Sequence, residues 1–248
     1  MELKDFFEEN KKVGIAFSGG VDSSYLLYAA KKFGADVKAY YVKSEFQPEF
    51  EYNDAMRLAS DIGIDVEVIH VDALASEIVR SNPKDRCYYC KNNIFGAIIE
   101  AAHKDGYSII CDGTNASDDA GDRPGMRALK EMSVRSPLRE CGLTKDMIRD
   151  LSREAGLFTW NKPSYACLAT RIRKGEEITP EKLKKTEICE KFMSIIGFRD
   201  FRIRTYEGKA RIEIHKDQLG LYRDSEEEIK KELGNYYTEV ELDPEGRG

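Results

Sequence analysis

Val13-Gly14-Ile15-Ala16-Phe17-Ser18-Gly19-Gly20-Val21-Asp22-Ser23-Ser24 is the stretch on which the fold turns. Val13 to Phe17 reads as a buried strand. The run from Asp22 to about Phe33, carrying Tyr25, Leu26, Leu27 and Ala30, reads as a helix. The turn between them sets bare backbone N–H groups at a helix N-terminus, where geometry and dipole both favour an anion. Gly19 and Gly20 allow positive φ and a close approach of backbone to phosphate. Ser18, Ser23 and Ser24 add hydroxyls. The loops GxxxxGK[ST] and GxGxxG are both absent here.

Outward from this loop the chain alternates strands and helices. Ala35 to Val42 and Val66 to Val71 read as strands, separated by an amphipathic helix at Phe50–Ile62. Ser44, just beyond the second strand, is placed where nucleotides sit in open α/β sheets. A helix is expected from Lys91 to Lys104, a strand from Tyr107 to Cys111 ending in Asp112-Gly113-Thr114-Asn115, and a fifth short strand over Ser133–Leu138. Thr144 caps a helix running to Ala155. This order predicts an α/β fold with a doubly wound parallel sheet. The pattern changes near Trp160. A helix at 181–197, a hairpin at Phe201–His215, two helices and a last strand at Thr238–Leu242 predict a smaller C-terminal α+β domain. The expected division is residues 1–160 and 161–248.

Composition sets bounds. The 248 residues are 41% hydrophobic and 34% charged, which is ordinary for a globular protein. A formal charge of −6 argues against a surface that grips nucleic acid over its whole extent. Met1-Glu2-Leu3-Lys4-Asp5 opens no signal sequence, and no apolar run reaches ~20 residues, so a cytoplasmic protein without membrane partners is expected.

Six cysteines in such a chain point to metal or catalytic roles ahead of disulfides. Cys87 and Cys90 form CxxC ahead of a helix, and Cys167 stands in Pro163-Ser164-Tyr165-Ala166-Cys167-Leu168-Ala169-Thr170-Arg171. CxxC alone leaves zinc, a redox dithiol and an iron–sulfur cluster open. Three thiolates suit a [4Fe–4S] cluster with one iron left without a protein ligand. Cys111, Cys141 and Cys189 read as small, partly buried residues.

In the hairpin, Phe201, Ile203 and Thr205 take one face and Arg202 and Arg204 the other. A two-residue turn at Glu207-Gly208 sets Arg204 opposite Arg211 and Arg202 opposite Glu213. Facing arginines call for an anion or a carboxylate between them. A phosphate and Glu213 both answer.

SGGVDSS resembles the pyrophosphate loop of the PP-loop ATP pyrophosphatases, and the DGTN turn resembles that family's second nucleotide-facing turn. The runs DGTNASDDAGDRPGMRAL, VRSPLRECGLTK and WNKPSYACLATR are similar to the LarE family of ATP-dependent sulfur transferases. That resemblance implies a PP-loop fold, ATP and Mg²⁺. It also implies a pyridinium-3,5-biscarboxylic acid mononucleotide as substrate, adenylated with loss of pyrophosphate and then converted to the thiocarboxylate. Ser18, Gly19, Gly20, Asp22, Ser23, Ser24, Ser44, Gly113 and Thr114 are then the nucleotide-binding residues. Arg202 and Arg204 hold the substrate phosphate, and Cys167, Asp22 and Arg171 are catalytic. Glu190 and Asp217 are acidic residues near the sulfur site. With Cys87, Cys90 and Cys167 all present, the sequence matches the family's three-cysteine type, in which a [4Fe–4S] cluster carries the sulfide. The alternative is a sacrificial Cys167. A sulfur donor and a homo-oligomer, with a hexamer among its forms, are implied as partners. A tRNA thiolase is the rival enzyme reading.

Overall fold

The computed structural model describes residues 1–118 and 124–247. Of the polar stretch 116–125, residues 119–123 lie outside that description. The chain forms two units, one of residues 1–73 and 85–162, the other of residues 74–84 and from Pro163 onward.

The first unit is an α/β layer structure. Its elements are α1 (Leu3–Glu9), β1 (Lys12–Ala16), α2 (Val21–Lys32), β2 (Asp36–Lys43), α3 (Glu49–Ile62) and β3 (Val66–His70). After α4 (Glu77–Arg80), which belongs to the other unit, come α5 (Arg86–Lys104), β4 (Ile109–Cys111), α6 (Pro124–Glu131), α7 (Pro137–Glu140) and α8 (Lys145–Glu154). The strands are parallel in the order β3-β2-β1-β4. Side chains alternate across the sheet. Val13, Ile15, Ala39 and Tyr41 join Leu26, Leu27, Ala55 and Leu58 in one apolar cluster. Tyr40, Val42 and Ile110 join Ile98 and Ala102 of α5 in another. Each such alternation buries one strand face against a helix, as a sheet covered on both sides requires. Gly14 lies in the second layer: a Cβ there would stand 3.0 Å from both Ile110 Cδ1 and Tyr40 Cε2.

Two expectations are corrected in this unit. The fifth strand is a single parallel bridge, Cys111 to Arg135, with Arg135 N–H donating to Ile110 O at 2.8 Å. Ser133 takes φ +56° and Pro137 opens α7, so only one residue between them is free to pair. The helix expected from Lys91 begins at Arg86, so Cys87 and Cys90 lie inside it.

The second unit holds α9 (Pro180–Ile195), β5 (Arg202–Tyr206), β6 (Lys209–Glu213), α10 (Leu219–Leu233) and β7 (Glu239–Leu242). Two helices were expected where the single α10 stands, preceded by a short 3-10 turn at Lys216–Gln218. The sheet runs β5-β6-β7, antiparallel then parallel. Glu207 and Gly208 adopt φ +47° and +80°, the two positive values that a tight hairpin turn demands. Cys189, Met193, Ile203, Ile212, Ile229 and Leu233 form the core beneath the sheet. Residues 74–84 join this unit through Asn82. Its buried amide donates to Arg173 O at 2.9 Å, and its carbonyl accepts from Gly175 N–H at 2.8 Å.

Candidate active site

In the first unit the site grows from the β1–α2 turn. Gly19 has φ +73°, and a Cβ there would lie 2.7 Å from Ala55 Cβ on α3. No side chain fits that position in either conformation or space. Gly20 caps α2 in extended geometry. The first-turn amides of this 12-residue helix have no partner within it. Ser23 Oγ holds the turn closed: it accepts from Ser18 N–H at 3.2 Å, bonds Ser18 Oγ at 3.1 Å and donates to Gly20 O. Ser18 itself is exposed on the loop. The Asp112–Asn115 turn packs directly on this structure, since a Cβ on Gly113 would meet Ser23 N at 2.8 Å. Thr114 hydroxyl donates to Asp112 Oδ2, and Ser136 hydroxyl to Asp112 Oδ1 at 2.7 Å, which fixes the turn.

Asp22 is the one carboxylate in this loop. Its Oδ2 accepts from Lys145 Nζ at 2.5 Å. Its Oδ1 is buried and takes no hydrogen bond among the described residues. Burial pushes the Asp22 carboxyl above its ordinary value, and Lys145 opposes that shift. An orphan oxygen on a half-desolvated carboxylate beside an anion cradle fits a ligand of Mg²⁺. Lys145 is the residue that the sequence hid. It opens α8, 123 positions from its partner, and no local pattern links the two.

Two serines depart from the expected role. Ser24 is fully enclosed and its Oγ has no hydrogen-bond partner among the described residues, so it does not present a hydroxyl as Ser18 does. Ser44 stands at the end of β2, but its hydroxyl donates to Gln47 Oε1 at 2.7 Å and accepts from Phe46 N–H.

Cys87 is exposed and Cys90 half-buried, three apart on the first turn of α5 and therefore on one side of it. A guanidinium nitrogen of the buried Arg86 lies 3.6 Å from Cys87 Sγ. Cys167 is half-buried in the second unit and caps the 3-10 turn Leu168–Arg171. Among the described residues no group of three or more His, Cys, Asp or Glu is placed to hold a metal ion. Thiolates of this kind suit an iron–sulfur cluster; Cys87 and Cys90 belong to the first unit and Cys167 to the second.

In the second unit Arg171 and Glu190 are brought together. Arg171 Nε donates to Glu190 Oε1 at 2.8 Å and Nη2 to Oε2 at 3.0 Å, with side chains only 1% and 6% exposed. Tyr165 hydroxyl donates to Glu190 Oε2, and Ile203 N–H to Oε1 at 3.0 Å. Arg171 Nη1 reaches Ala166 O at 2.6 Å. This corrects the expectation of Arg171 as a catalytic cation: its charge is spent on a sealed, bidentate pair that fixes the loop beside Cys167. Glu190 is the other half of that pair rather than a free acid. Asp217 is exposed on the 3-10 turn before α10.

The hairpin register is the expected one, Arg202 to Glu213 and Arg204 to Arg211. Carboxylates already relieve the facing pair. Arg204 Nε donates to Glu213 Oε1 at 2.8 Å and Nη1 to Thr170 O at 2.7 Å, while Arg211 Nε donates to Glu241 Oε1 at 2.7 Å. Arg202 differs. Among the described residues its guanidinium takes no hydrogen bond and no ion pair. Burial, then the charges of Arg247, Arg204 and Arg171, lower its affinity for its proton. A cavity of about 660 Å³ lies along this face, lined by Thr170, Arg173, Lys174, Arg204, Tyr206 and Arg211 among others.

No helix among the described residues is long and apolar enough to cross a membrane. The family model for asparagine synthase matches residues 5–83, the segment that carries the loop. An uncharacterized protein of Synechocystis is 36% identical over 88% of this chain and 81% of its own length. The pyridinium-3,5-bisthiocarboxylic acid mononucleotide synthase of Lactiplantibacillus plantarum is 31% identical over 97% of this chain and 87% of its own. A tRNA-specific 2-thiouridylase of Thermotoga petrophila is 25% identical over 61% of this chain and 54% of its own.

Proposed function

Because the chain belongs to the family of the pyridinium-3,5-bisthiocarboxylic acid mononucleotide synthase, the LarE family, we propose that it activates a carboxylate of a pyridinium mononucleotide with ATP and replaces a carboxylate oxygen with sulfur. It is an ATP-dependent sulfurtransferase with a PP-loop fold. The observation that supports this reading most directly is the backbone cradle at Gly19, Gly20 and Gly113, a place where phosphate fits and a Cβ does not.

The β- and γ-phosphates of ATP lie on the amides of the Ser18–Ser24 loop, with Ser18, Ser23 and Thr114 hydroxyls at its rim. Asp22 would hold Mg²⁺, which would offset the charge on the phosphates. Lys145 then transfers its charge from Asp22 to the departing pyrophosphate, where negative charge develops. The substrate carboxylate attacks the α-phosphorus, the bond to the β-phosphate oxygen breaks, and an acyl-adenylate forms. Arg202 and Arg204 hold the mononucleotide's phosphate. A sulfur nucleophile next attacks the acyl carbon and AMP leaves with the electron pair of the broken C–O bond. A [4Fe–4S] cluster on Cys87, Cys90 and Cys167 would supply sulfide; with Cys167 acting alone, its thiolate forms a thioester with the acyl group, and loss of the Cys167 α-proton to solvent with cleavage of its Cβ–Sγ bond releases the thiocarboxylate and leaves dehydroalanine at position 167. Holding that thiol in place is the task of the Arg171–Glu190 pair.

The test is AMP and pyrophosphate release on adding pyridinium-3,5-biscarboxylic acid mononucleotide. Substrate-dependent release of both is expected. Release stimulated by unmodified tRNA alone overturns the reading in favour of a tRNA thiolase. Anaerobic purification with iron and sulfide analysis tests the cluster: a colourless, iron-free protein after reconstitution removes it and leaves Cys167 as the sulfur source.

A further inference from the structure

The chain beyond β7 returns to the arginine face. Asp243 N–H donates to Ile212 O and Arg247 N–H to Ile214 O, both at 2.8 Å, so residues 243–247 extend the edge of the sheet. Gly246, at φ +67°, makes the turn that this requires. Ile214 follows Glu213, the strand partner of Arg202, so the backbone of Arg247 is fixed one residue from the Arg202 register position. The Arg247 side chain is 16% exposed, and its Nη2 donates to Asp200 Oδ1 at 2.7 Å. Asp200 precedes Arg202 by two residues, in the bend that leads into β5.

Charges on this face almost cancel. Arg171 is matched by Glu190, Arg204 by Glu213 and Arg247 by Asp200. Arg202 is left over. Its neighbours Arg247, Arg204 and Arg171 are all cations, and the carboxylate of Glu213 opposes them. A half-buried guanidinium among guanidiniums is a place for an anion. Asp200 has a second partner: His215 Nε2 lies 2.9 Å from its Oδ2. Asp200 also holds φ +46°, a backbone state that a non-glycine residue occupies at a cost. The carboxylate is thus fixed in place and retains His215 when Arg247 leaves it.

We propose that Arg247 is a second ligand of the substrate's phosphate, closing on it with Arg202 and exchanging Asp200 for the phosphate oxygens. The proposal rests on the reading of the Arg202–Arg204 face as the site for a mononucleotide phosphate, and it adds the C-terminal tail to that site. Two guanidiniums, one from β5 and one from the tail, give a monophosphate two forked donors. Asp200 is the counter-ion that keeps Arg247 oriented when no phosphate is present.

The experiment is calorimetric titration of the full chain with nicotinic acid mononucleotide and, separately, with nicotinic acid riboside. The two differ only in the phosphate. Wild type should bind the mononucleotide at least about tenfold tighter. Arg202→Gln and Arg247→Gln should each remove most of that preference and leave riboside binding within about twofold, while Arg247→Lys retains part of it. A preference lost in Arg202→Gln but intact in Arg247→Gln overturns the role of Arg247 and leaves the phosphate site standing. Equal binding of both compounds by wild type overturns the phosphate site itself. Loss of mononucleotide and riboside binding together in Arg247→Gln, with a lowered melting temperature, makes the tail a structural strap and overturns the proposal.

Discussion

In the proposed reaction the Ser18–Ser24 loop and the Arg202–Arg204 strand both receive phosphate, with opposite materials. The loop uses main-chain amides, and its important side chains are the ones that are missing: Gly19 and Gly113 have no room for a methyl group. The strand uses long side chains whose charges are set one against another. A site made of backbone fails in steps, because a Cβ either fits or displaces the chain. A site made of guanidiniums fails by degrees, because each can be shortened, neutralised or screened.

The largest effect should come from the pair that supports the second site. Glu190→Ala leaves Arg171 buried without its carboxylate, and stability to urea should fall by about 3–5 kcal/mol. A loss under about 1 kcal/mol would mean that the pair is dispensable and the comparison misjudges how that site is held. Gly19→Ala should abolish ATP–pyrophosphate exchange by about 100-fold or more, because the cradle must shift by a good part of an ångström. Retained exchange would break the claim that the loop is a backbone site. Lys145→Met should lower the rate of pyrophosphate release by about 10- to 100-fold with a native circular dichroism spectrum. That result sharpens the contrast, since it shows one side chain within the backbone site that acts by charge.

Asp22 gives the smallest and most specific effect. Its folded carboxyl is raised above 3.8 by burial, so it favours the protonated form. The stability this confers is complete below that value and is lost as pH rises through the raised one. Asp22→Asn has no such loss. Its melting temperature should therefore gain on wild type as pH climbs from about 3.8 towards neutral, then run parallel. A gap that moves the other way would mean that the Lys145 ion pair outweighs burial.

Much of this was legible in residue order. The strand, double glycine and helix follow one another directly from Lys12 to Lys32, so local rules suffice. The hairpin register followed from the length of the Glu207-Gly208 turn and fixed the facing pair Arg204 and Arg211. What stayed hidden depends on partners remote in sequence. Lys145 reaches Asp22 across 123 positions, and Glu241, which relieves Arg211, comes from a strand added 30 residues later. Arg171 and Glu190 were each visible as charged residues. Their mutual burial was not, because a charge in a sequence carries no label for solvent. The over-read strand at Ser133–Leu138 shows the same limit in reverse. Ser133 and Pro137 commit the backbone elsewhere, which leaves a single bridge at Arg135.

The bond from Asn82 to Ile172 O spans 90 residues. As the chain leaves the ribosome, residues 74–84 emerge long before the segment that satisfies them. At about 5–20 residues per second, the buried amide of Asn82 waits several seconds or more for its acceptors. The first unit is meanwhile complete in sequence at Lys162, apart from this excursion. The strip around Asn82 is thus made long before the segment that satisfies it.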